Sequence, residues 1–225
     1  MSIFLVARDN STKLDIFDGS RLTGHGLDQI RERGTMGQET IARFIHQFEH
    51  VSGHAYCAGN VDAFRRQLTT IIEQYRPNSL ATGDLPPSLS KIVSECCEQL
   101  EVAYWAPPYR RADLPGLIDS AGIGVGFVQH AIAETGTLIE LTTNDASRLV
   151  SSLPRVYVGI VLAKDIVAAY YDCARSVSTA FSSNAANCVV SFISGPSRTG
   201  DIELKLTLGV HGPEEAHAII VDFDI

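Results

Sequence analysis

Four glycine-bearing segments of the sequence combine a permissive backbone with polar side chains that could do chemistry. They span residues 122–126, 134–137, 195–199 and 209–213, and each lies at a predicted strand end. Open α/β sheets bind ligands in the crevice at the carboxyl ends of their strands, and glycine lets a backbone approach the ligand closely. We therefore expect these segments to line one ligand-binding crevice.

The segment SGPSRTGDIE, residues 194–203, has the composition of an anion-binding turn. A guanidinium binds a carboxylate or phosphate through two parallel hydrogen bonds, and the N–H groups of a turn form an anion-binding concavity. An alternative is that Arg198 pairs with Asp201 or Glu203 across the turn. The anion-binding residues predicted here are Gly195, Ser197, Arg198, Thr199 and Asp201.

Two further residues could transfer protons. Glu134 precedes a predicted strand, so its carboxylate could act as a nucleophile or base beside Arg198, or it could accept N–H groups of a turn. His211 lies between two glycines, and its ordinary pKa of about 6.5 suits a general acid or base, although it could equally bond a turn. The predicted catalytic residues are Glu134 and His211, and the predicted ligand-binding residues beside them are Thr135, Gly136, Thr137 and Gly212.

Several familiar site patterns are incomplete in this sequence. The GxGxG at 122–126 lacks the GxGxxG spacing of a dinucleotide site, which favours a strand whose glycines permit close packing. His46 and His50 are one helical turn apart, but no HExxH accompanies them, so we predict no metal site. The five cysteines form no CxxC pair, and clusters require converging thiolates. We expect no cofactor in this chain.

The elements that must position these residues alternate between strands and helices. Apolar residues recur at helical spacing over 41–48, 61–75, 89–100 and 164–177, and short β-branched runs separate them. This order predicts an α/β fold: an open, mostly parallel sheet with helices on both faces. Residues 1–36 show neither the residue spacing of a helix nor the alternation of a strand. We predict that they form an N-terminal arm or docking segment, followed by one α/β domain over 37–225. Further strands are predicted at 123–128, 137–141, 155–161, 188–193, 203–210 and 216–222.

Composition and charge exclude several classes of protein. The 225 residues are 45% hydrophobic and 20% charged, which is typical of a globular chain and not of a disordered one. The formal net charge is −8 and the basic residues are scattered, which disfavours nucleic acid as a partner. No apolar stretch is long enough to span a membrane and no signal peptide is evident, so we expect a cytoplasmic protein.

Two ordered motifs carry a family resemblance. AIAETGTLIE at 131–140 and ISGPSRTGDIELKLTLGVHGP at 193–213 resemble the signature of the LUD domain, specifically the lactate-utilisation protein C family. The resemblance covers about the C-terminal two-thirds of the chain, and residues 1–36 match only loosely. One departure is Gly200, where the family pattern has Ala, and this change leaves the polar groups in place.

The resemblance implies a fold like that of the sugar-phosphate isomerases and CoA transferases. It also implies a part in the bacterial oxidation of L-lactate to pyruvate, together with two iron–sulfur lactate-utilisation proteins that carry the clusters. It assigns no chemical role to any residue. The small carboxylate or phosphate ligand and the roles given above rest on the chemistry of the residues alone.

Three functions follow as alternatives. The first is a cluster-free subunit of an L-lactate-oxidising iron–sulfur complex, with Arg198 holding a small anion. The second is a stand-alone enzyme acting on a phosphorylated sugar, a CoA derivative or a folate derivative in the same cleft, which is a fold-level analogy. The third is a non-catalytic assembly factor that docks through residues 1–36.

Overall fold

A computed structural model describes the backbone of residues 3–5, 29–184, 187–199, 207–208 and 212–225, and the side chains of residues 37–184, 187–197 and 212–225. Strands and helices alternate through the first half of the chain, and strands predominate after it. The helices are α1 (Gln29–His50), α2 (Val61–Tyr75), α3 (Pro87–Gln99), α4 (Gly116–Asp119), α5 (Asp145–Val150) and α6 (Tyr170–Ser183). The strands are β1 (Ile3–Leu5), β2 (His54–Ala58), β3 (Ser79–Thr82), β4 (Ala103–Trp105), β5 (Ile123–Phe127), β6 (His130–Ile132), β7 (Thr137–Thr142), β8 (Val156–Leu162), β9 (Ile166–Val167), β10 (Val189–Ile193), β11 (Arg198–Thr199), β12 (Thr207–Leu208) and β13 (Glu215–Val221).

A six-stranded parallel sheet forms the centre of the fold. Its strand order is β2-β13-β8-β5-β3-β4, and every neighbouring pair is parallel. Its central strands are buried on both faces, which is why their sequences are nearly continuous apolar runs. Helices α2 and α3 cover one face and α1 packs on the other. The predicted open, mostly parallel sheet with helices on both faces is confirmed.

A second sheet, which the sequence did not predict, lies on the same face as α1. Its order is β1-β10-β7-β6-β9, with antiparallel pairs except for the parallel β6–β9 pair, and we call it the mixed sheet. The layer between the two sheets buries residues of α1 and both sheets, including Phe44, Leu138 and Ala218. Helix α6 covers the outer face of the mixed sheet through Cys173 and Val177.

The helix predicted over 164–177 is wrong over residues 164–169. The β-branched pair of β9 adds to the mixed sheet beside Ala131 and Ile132, and α6 begins only at Tyr170. The Asp172 carboxylate accepts the Ala169 N–H group at 2.9 Å and so fixes this start. Pairing in a sheet has overridden the helical spacing of the apolar residues.

The predicted boundary at residue 36 stays a prediction. Within residues 1–36 the structure describes only backbone: β1, which pairs with β10, and the first turns of α1. Of the predicted strand at 203–210, only the backbone of β12 lies within the described residues, where it pairs with β11. Among the described residues, no helix is both long and apolar enough to cross a membrane.

Helix α1 ends against two glycines of the mixed sheet. Gly136 has φ +60°, and a Cβ there would overlap the backbone of Gln47 and Phe48. Gly195 has φ +73°, and a Cβ there would overlap the carbonyl oxygen of Val51. Only glycine combines this left-handed conformation with so close an approach. The end of α1 therefore packs against two loops of the mixed sheet.

We expect Gly136→Ala to destabilise the protein by at least about 3 kcal/mol, because the side chain adds backbone strain and pushes α1 away. The measurement is urea unfolding. Gly37→Ala is the control: Gly37 lies within α1 with open space around it, so alanine there should stabilise the helix by up to about 1 kcal/mol. Equal stabilities of the two variants would contradict the packing described here.

Candidate functional site

Hydroxyl groups join the two loops that carry the sequence motifs. We call them the first motif loop (134–137) and the second motif loop (194–197). The Thr137 Oγ1 atom lies 2.7 Å from Thr135 Oγ1 and 2.7 Å from Ser194 Oγ. Thr137 is buried, whereas Thr135 is exposed. The three hydroxyls form a chain that runs from the surface to the second motif loop. Thr135 and Thr137 are thus brought next to the second motif loop, which contains Gly195 and lies about 60 residues later in the sequence.

A third predicted segment joins the second motif loop. The Ser197 N–H group donates to the Pro213 carbonyl at 2.8 Å. A Cβ at Gly212 would lie 3.3 Å from the Ser197 Cβ, so Gly212 and Ser197 are neighbours. Three of the four glycine-bearing segments therefore meet in one place, which we call the motif site.

The motif site does not lie at the carboxyl ends of the parallel strands. The position that we expected for the ligand crevice is therefore wrong. Gly212 and Pro213 precede β13, and the Glu214 N–H group donates to the carbonyl of Arg155, which precedes β8. This is the amino edge of the parallel sheet. The two motif loops belong to the mixed sheet, one between β6 and β7 and one after β10. The sequence prediction differed because it merged both sheets into one.

The Glu134 carboxylate binds the start of α6. Its Oε1 atom accepts the Tyr170 N–H group at 3.2 Å, and the Glu134 N–H group donates to the Ala168 carbonyl at 3.0 Å. A carboxylate is stabilised at a helix N-terminus by the free N–H groups and the helix dipole. Two roles were considered for Glu134, proton transfer and the acceptance of N–H groups. The structure shows the second, at a helix rather than at a turn. Glu134 is exposed and adjoins Thr135, so it also borders the motif site.

The remaining predicted site residues are only partly described. The backbone of Arg198 and Thr199 forms β11, but their side chains lie outside the described residues. Asp201 and His211 also lie outside the described residues. Their predicted roles in anion binding and proton transfer stay predictions.

An acidic depression of about 420 Å³ adjoins the second motif loop at Pro196. Its wall includes Glu49, Glu214 and Glu215, together with His54, whose Nε2 atom lies 3.4 Å from the Glu215 carboxylate. Arg155 also pairs with Glu214, at 2.5 Å. This side of the motif site carries an excess of negative charge among the side chains described.

Behind this depression lies the buried His217 of β13. Its Nε2 atom lies 3.0 Å from the Tyr75 hydroxyl, and its Nδ1 atom has no partner among the described residues. The ring of His54 stacks on it at 4.9 Å between centroids. Burial, and then His54, lower the pKa of His217 from 6.5 to about 4, so the imidazole is neutral near neutral pH.

A carboxyl group is buried in the layer between the two sheets. Glu140 on β7 faces the parallel sheet because Leu138, two residues earlier, packs into the same layer. The Tyr157 hydroxyl of β8 donates to Glu140 Oε1 at 3.1 Å, while Oε2 has no partner among the described residues. Burial raises the pKa of Glu140 to about 7, while the hydroxyls of Ser151 and Tyr157 act in the opposite direction. Glu140 therefore changes charge near neutral pH.

The GxGxG segment makes room for this pair. A Cβ at Gly126 would lie 2.6 Å from the Tyr157 hydroxyl and 2.7 Å from Glu140 Oε1. A Cβ at Gly124, on the same face of β5, would overlap the carbonyl of Val150 at the end of α5. The prediction that these glycines permit close packing of a strand is confirmed.

A small cavity links Glu140 to the motif site. Its volume is about 20 Å³, which suffices for about one water molecule. Tyr157, the hydroxyl partner of Glu140, lies on its wall with Ser151, and so does Ser191, the cross-strand neighbour of Glu140. Gly195 and Ser197 of the second motif loop also line it. Hydroxyl groups thus extend from a buried carboxyl to the backbone of the motif site.

Three residues of this arrangement were not predicted from the sequence: Ser194, Glu140 and Tyr157. Glu140 carries a detectable signal, since it is an ionisable residue at an inward position of the apolar run TLIELT. Ser194 and Tyr157 carry none, because only the stacking of the two sheets brings them to the site. Together the hydroxyl groups of this arrangement can donate and accept hydrogen bonds, and the Glu140 carboxyl can hold one proton.

With this geometry established, similarity to known proteins identifies the family. A family model described as the LUD domain matches residues 41–221, most of the chain. The chain belongs to the LUD domain family. Both motif loops and the buried Glu140–Tyr157 pair lie within the matched LUD domain.

The relatives of this LUD domain include proteins named Lactate utilization protein C. The Halalkalibacterium halodurans protein is 29% identical over 163 residues, which cover 72% of this chain and 70% of that protein. The Shouchella clausii protein is 38% identical over 102 residues, 45% of this chain and 44% of that protein. The Bacillus subtilis protein is 36% identical over 108 residues, 46% of this chain and 43% of that protein. The last two matches span less than half of those relatives.

A solved structure supports the fold of the LUD domain. The crystal structure of a DUF162 family protein from Deinococcus radiodurans superposes with a TM-score of 0.56, at 16% sequence identity. The match covers 82% of this chain and 98% of that chain. At this identity the likeness concerns the fold.

The raised pKa of Glu140 predicts how an uncharged variant changes stability with pH. Below pH 4.5 Glu140 is protonated in both the folded and the unfolded chain, so its burial does not lower the free energy of unfolding through its charge. The stability of the folded chain falls as pH rises from about 4.5 through 7, where the folded carboxyl ionises. Relative to the native chain, Glu140→Gln should therefore gain about 3 kcal/mol between pH 4.5 and pH 8. Urea unfolding over this pH range measures the gain.

Glu98→Gln is the control, since Glu98 is exposed on α3. Its difference from the native chain should stay constant over the same range. A constant difference for Glu140→Gln as well would show that Glu140 titrates at an ordinary pH.

Proposed function

We propose that this chain takes part in lactate utilization as a cluster-free subunit that binds a small carboxylate at the motif site. The observation that carries the proposal is the contact between Thr137 and Ser194, which joins the two motif loops in one polar site. The relatives named Lactate utilization protein C support the link to lactate. Lactate and pyruvate are both monocarboxylates of a size that one guanidinium and a few hydroxyls can bind.

The proposed ligand contacts come from both motif loops. Thr135 supplies an exposed hydroxyl, and Thr137 and Ser194 fix its position through the hydroxyl chain. Arg198 follows the second motif loop directly and supplies the positive charge in this proposal. A guanidinium is needed there because the described neighbours at Pro196 are mainly acidic.

The proposal places the redox chemistry in two iron–sulfur partner proteins. Thiolates are the ligands of iron–sulfur clusters, and burial raises the pKa of all five thiols of this chain above the ordinary value. These cysteines are therefore mostly protonated at neutral pH. The chain's own contribution is to bind and orient the carboxylate, and Glu134 and His211 are the proposed groups for proton transfer.

The first test is affinity purification of the tagged chain from lactate-grown cells. The expected result is co-purification of iron–sulfur proteins, with lactate-dependent dye reduction by the eluate and none by the isolated chain. Turnover of a phosphorylated sugar, CoA or folate derivative by the isolated chain would favour a stand-alone enzyme instead. Co-purification that is lost on removal of residues 1–36, with the lactate site dispensable, would favour an assembly factor.

Substitution of the proposed anion-binding arginine tests the site directly. We expect Arg198→Ala to abolish lactate-dependent dye reduction by the purified assembly and growth on lactate, while the free energy of unfolding changes by less than about 1 kcal/mol. Arg66→Ala is the matched control, because Arg66 is exposed on α2 at the opposite face of the parallel sheet. Unchanged activity in Arg198→Ala would contradict an anion site at this residue.

A further inference from the structure

The buried Glu140 carboxyl has no counter-charge among the side chains that the structure describes. The Tyr157 hydroxyl bonds one of its oxygens, and the other has no partner among the described residues. An ionised carboxylate so placed is costly, whereas the protonated form is not. Apolar residues or hydroxyls would fill this layer without such a cost, so the carboxyl calls for an explanation beyond packing.

The groups around Glu140 show what can influence its charge. From β8 it faces Tyr157, from β5 Gly126 and from β10 Ser191, while the Ser151 hydroxyl lies nearby at the end of α5. The charged residues of α5, Asp145 and Arg148, pair with each other, and Arg148 also bonds Asn187. His130 lies opposite Ile139 on the other face of the mixed sheet, where it bonds Ser176. No charged side chain among the described residues compensates Glu140.

The small cavity gives this carboxyl a connection to the motif site. Its wall includes Tyr157, the hydrogen-bond partner of Glu140, together with Gly195 and Ser197 of the second motif loop. Thr137 of the motif site lies three residues before Glu140 on β7, a distance of about 10 Å along the strand. Two negative charges on the order of 10 Å apart inside a protein repel each other enough to change an affinity by about tenfold.

We propose that Glu140 takes up a proton when a small carboxylate binds at the motif site, so that the protein binds anion and proton together. The proposal rests on the anion-binding function given above. The bound carboxylate disfavours the ionised form of Glu140, and by reciprocity a protonated Glu140 favours the carboxylate. When the anion binds to a chain whose Glu140 is ionised, one proton passes from solvent to a Glu140 oxygen and no other bond changes; a chain whose Glu140 already holds the proton takes up none. Glu140 is thus a positioning residue for charge and does not touch the ligand.

Isothermal titration calorimetry with L-lactate, and in parallel with pyruvate, tests the coupling. For the native chain we expect affinity about fivefold tighter near pH 6 than near pH 8, since a tenfold coupling is only partly expressed within one unit of the Glu140 pKa. Titrations near pH 7 in MOPS and in imidazole, which differ in ionisation enthalpy, should show net uptake of up to about half a proton per anion, since Glu140 is about half protonated there before the anion binds. This second measurement requires no variant.

Glu140→Gln and Glu98→Gln complete the experiment. Glu140→Gln keeps an oxygen for the Tyr157 hydroxyl and should bind the anion with little pH dependence and no proton uptake. Glu98→Gln should behave as the native chain. Binding with the same pH dependence in Glu140→Gln, or binding by the native chain without proton uptake, overturns the coupling and leaves the anion site standing. Binding of neither carboxylate at any pH overturns the proposed function and the coupling with it.

Discussion

The two motif loops meet because the end of α1 lies against the backbone of a glycine in each. Gly136 and Gly195 are both in the left-handed conformation, and any side chain at either would overlap the helix. The contact is between main chains, so it fixes position more tightly than side-chain packing does. The hydroxyl chain of Thr135, Thr137 and Ser194, the cavity and the approach of Ser197 to Pro213 all depend on this alignment.

Local signals predicted the parallel sheet well. Continuous apolar strands that alternate with amphipathic helices have few other solutions, and the strands at 123–128 and 155–161 agree closely with β5 and β8. The mixed sheet could not be predicted in the same way. Apart from the β6–β7 hairpin, its strands pair across long stretches of chain, and β9 has only two residues, which the helical spacing at 164–177 concealed. Non-local pairing leaves little trace in a local pattern.

The same difference decides how much of the site could be predicted. Thr137 and Gly195 were found because the chemistry of their own segments drew attention to them. Tyr157 and Ser194 gain their roles only from partners on other strands, at 3.1 Å and 2.7 Å. The placement at the amino edge of the parallel sheet was missed for a related reason, since it depends on which sheet each loop belongs to.

Two buried groups have pKa values displaced in opposite directions, and their effects on folding offset each other. Between about pH 4.5 and pH 6.5 the folded chain holds a proton on Glu140 that the unfolded chain lacks. Over the same interval the unfolded chain holds a proton on His217 that the folded chain lacks. These two sites therefore bind equal numbers of protons in both states, and their combined contribution to the free energy of unfolding is independent of pH there. Mild acidification therefore leaves the contribution of this carboxyl and this imidazole to the free energy of unfolding unchanged, although each group is costly to bury alone.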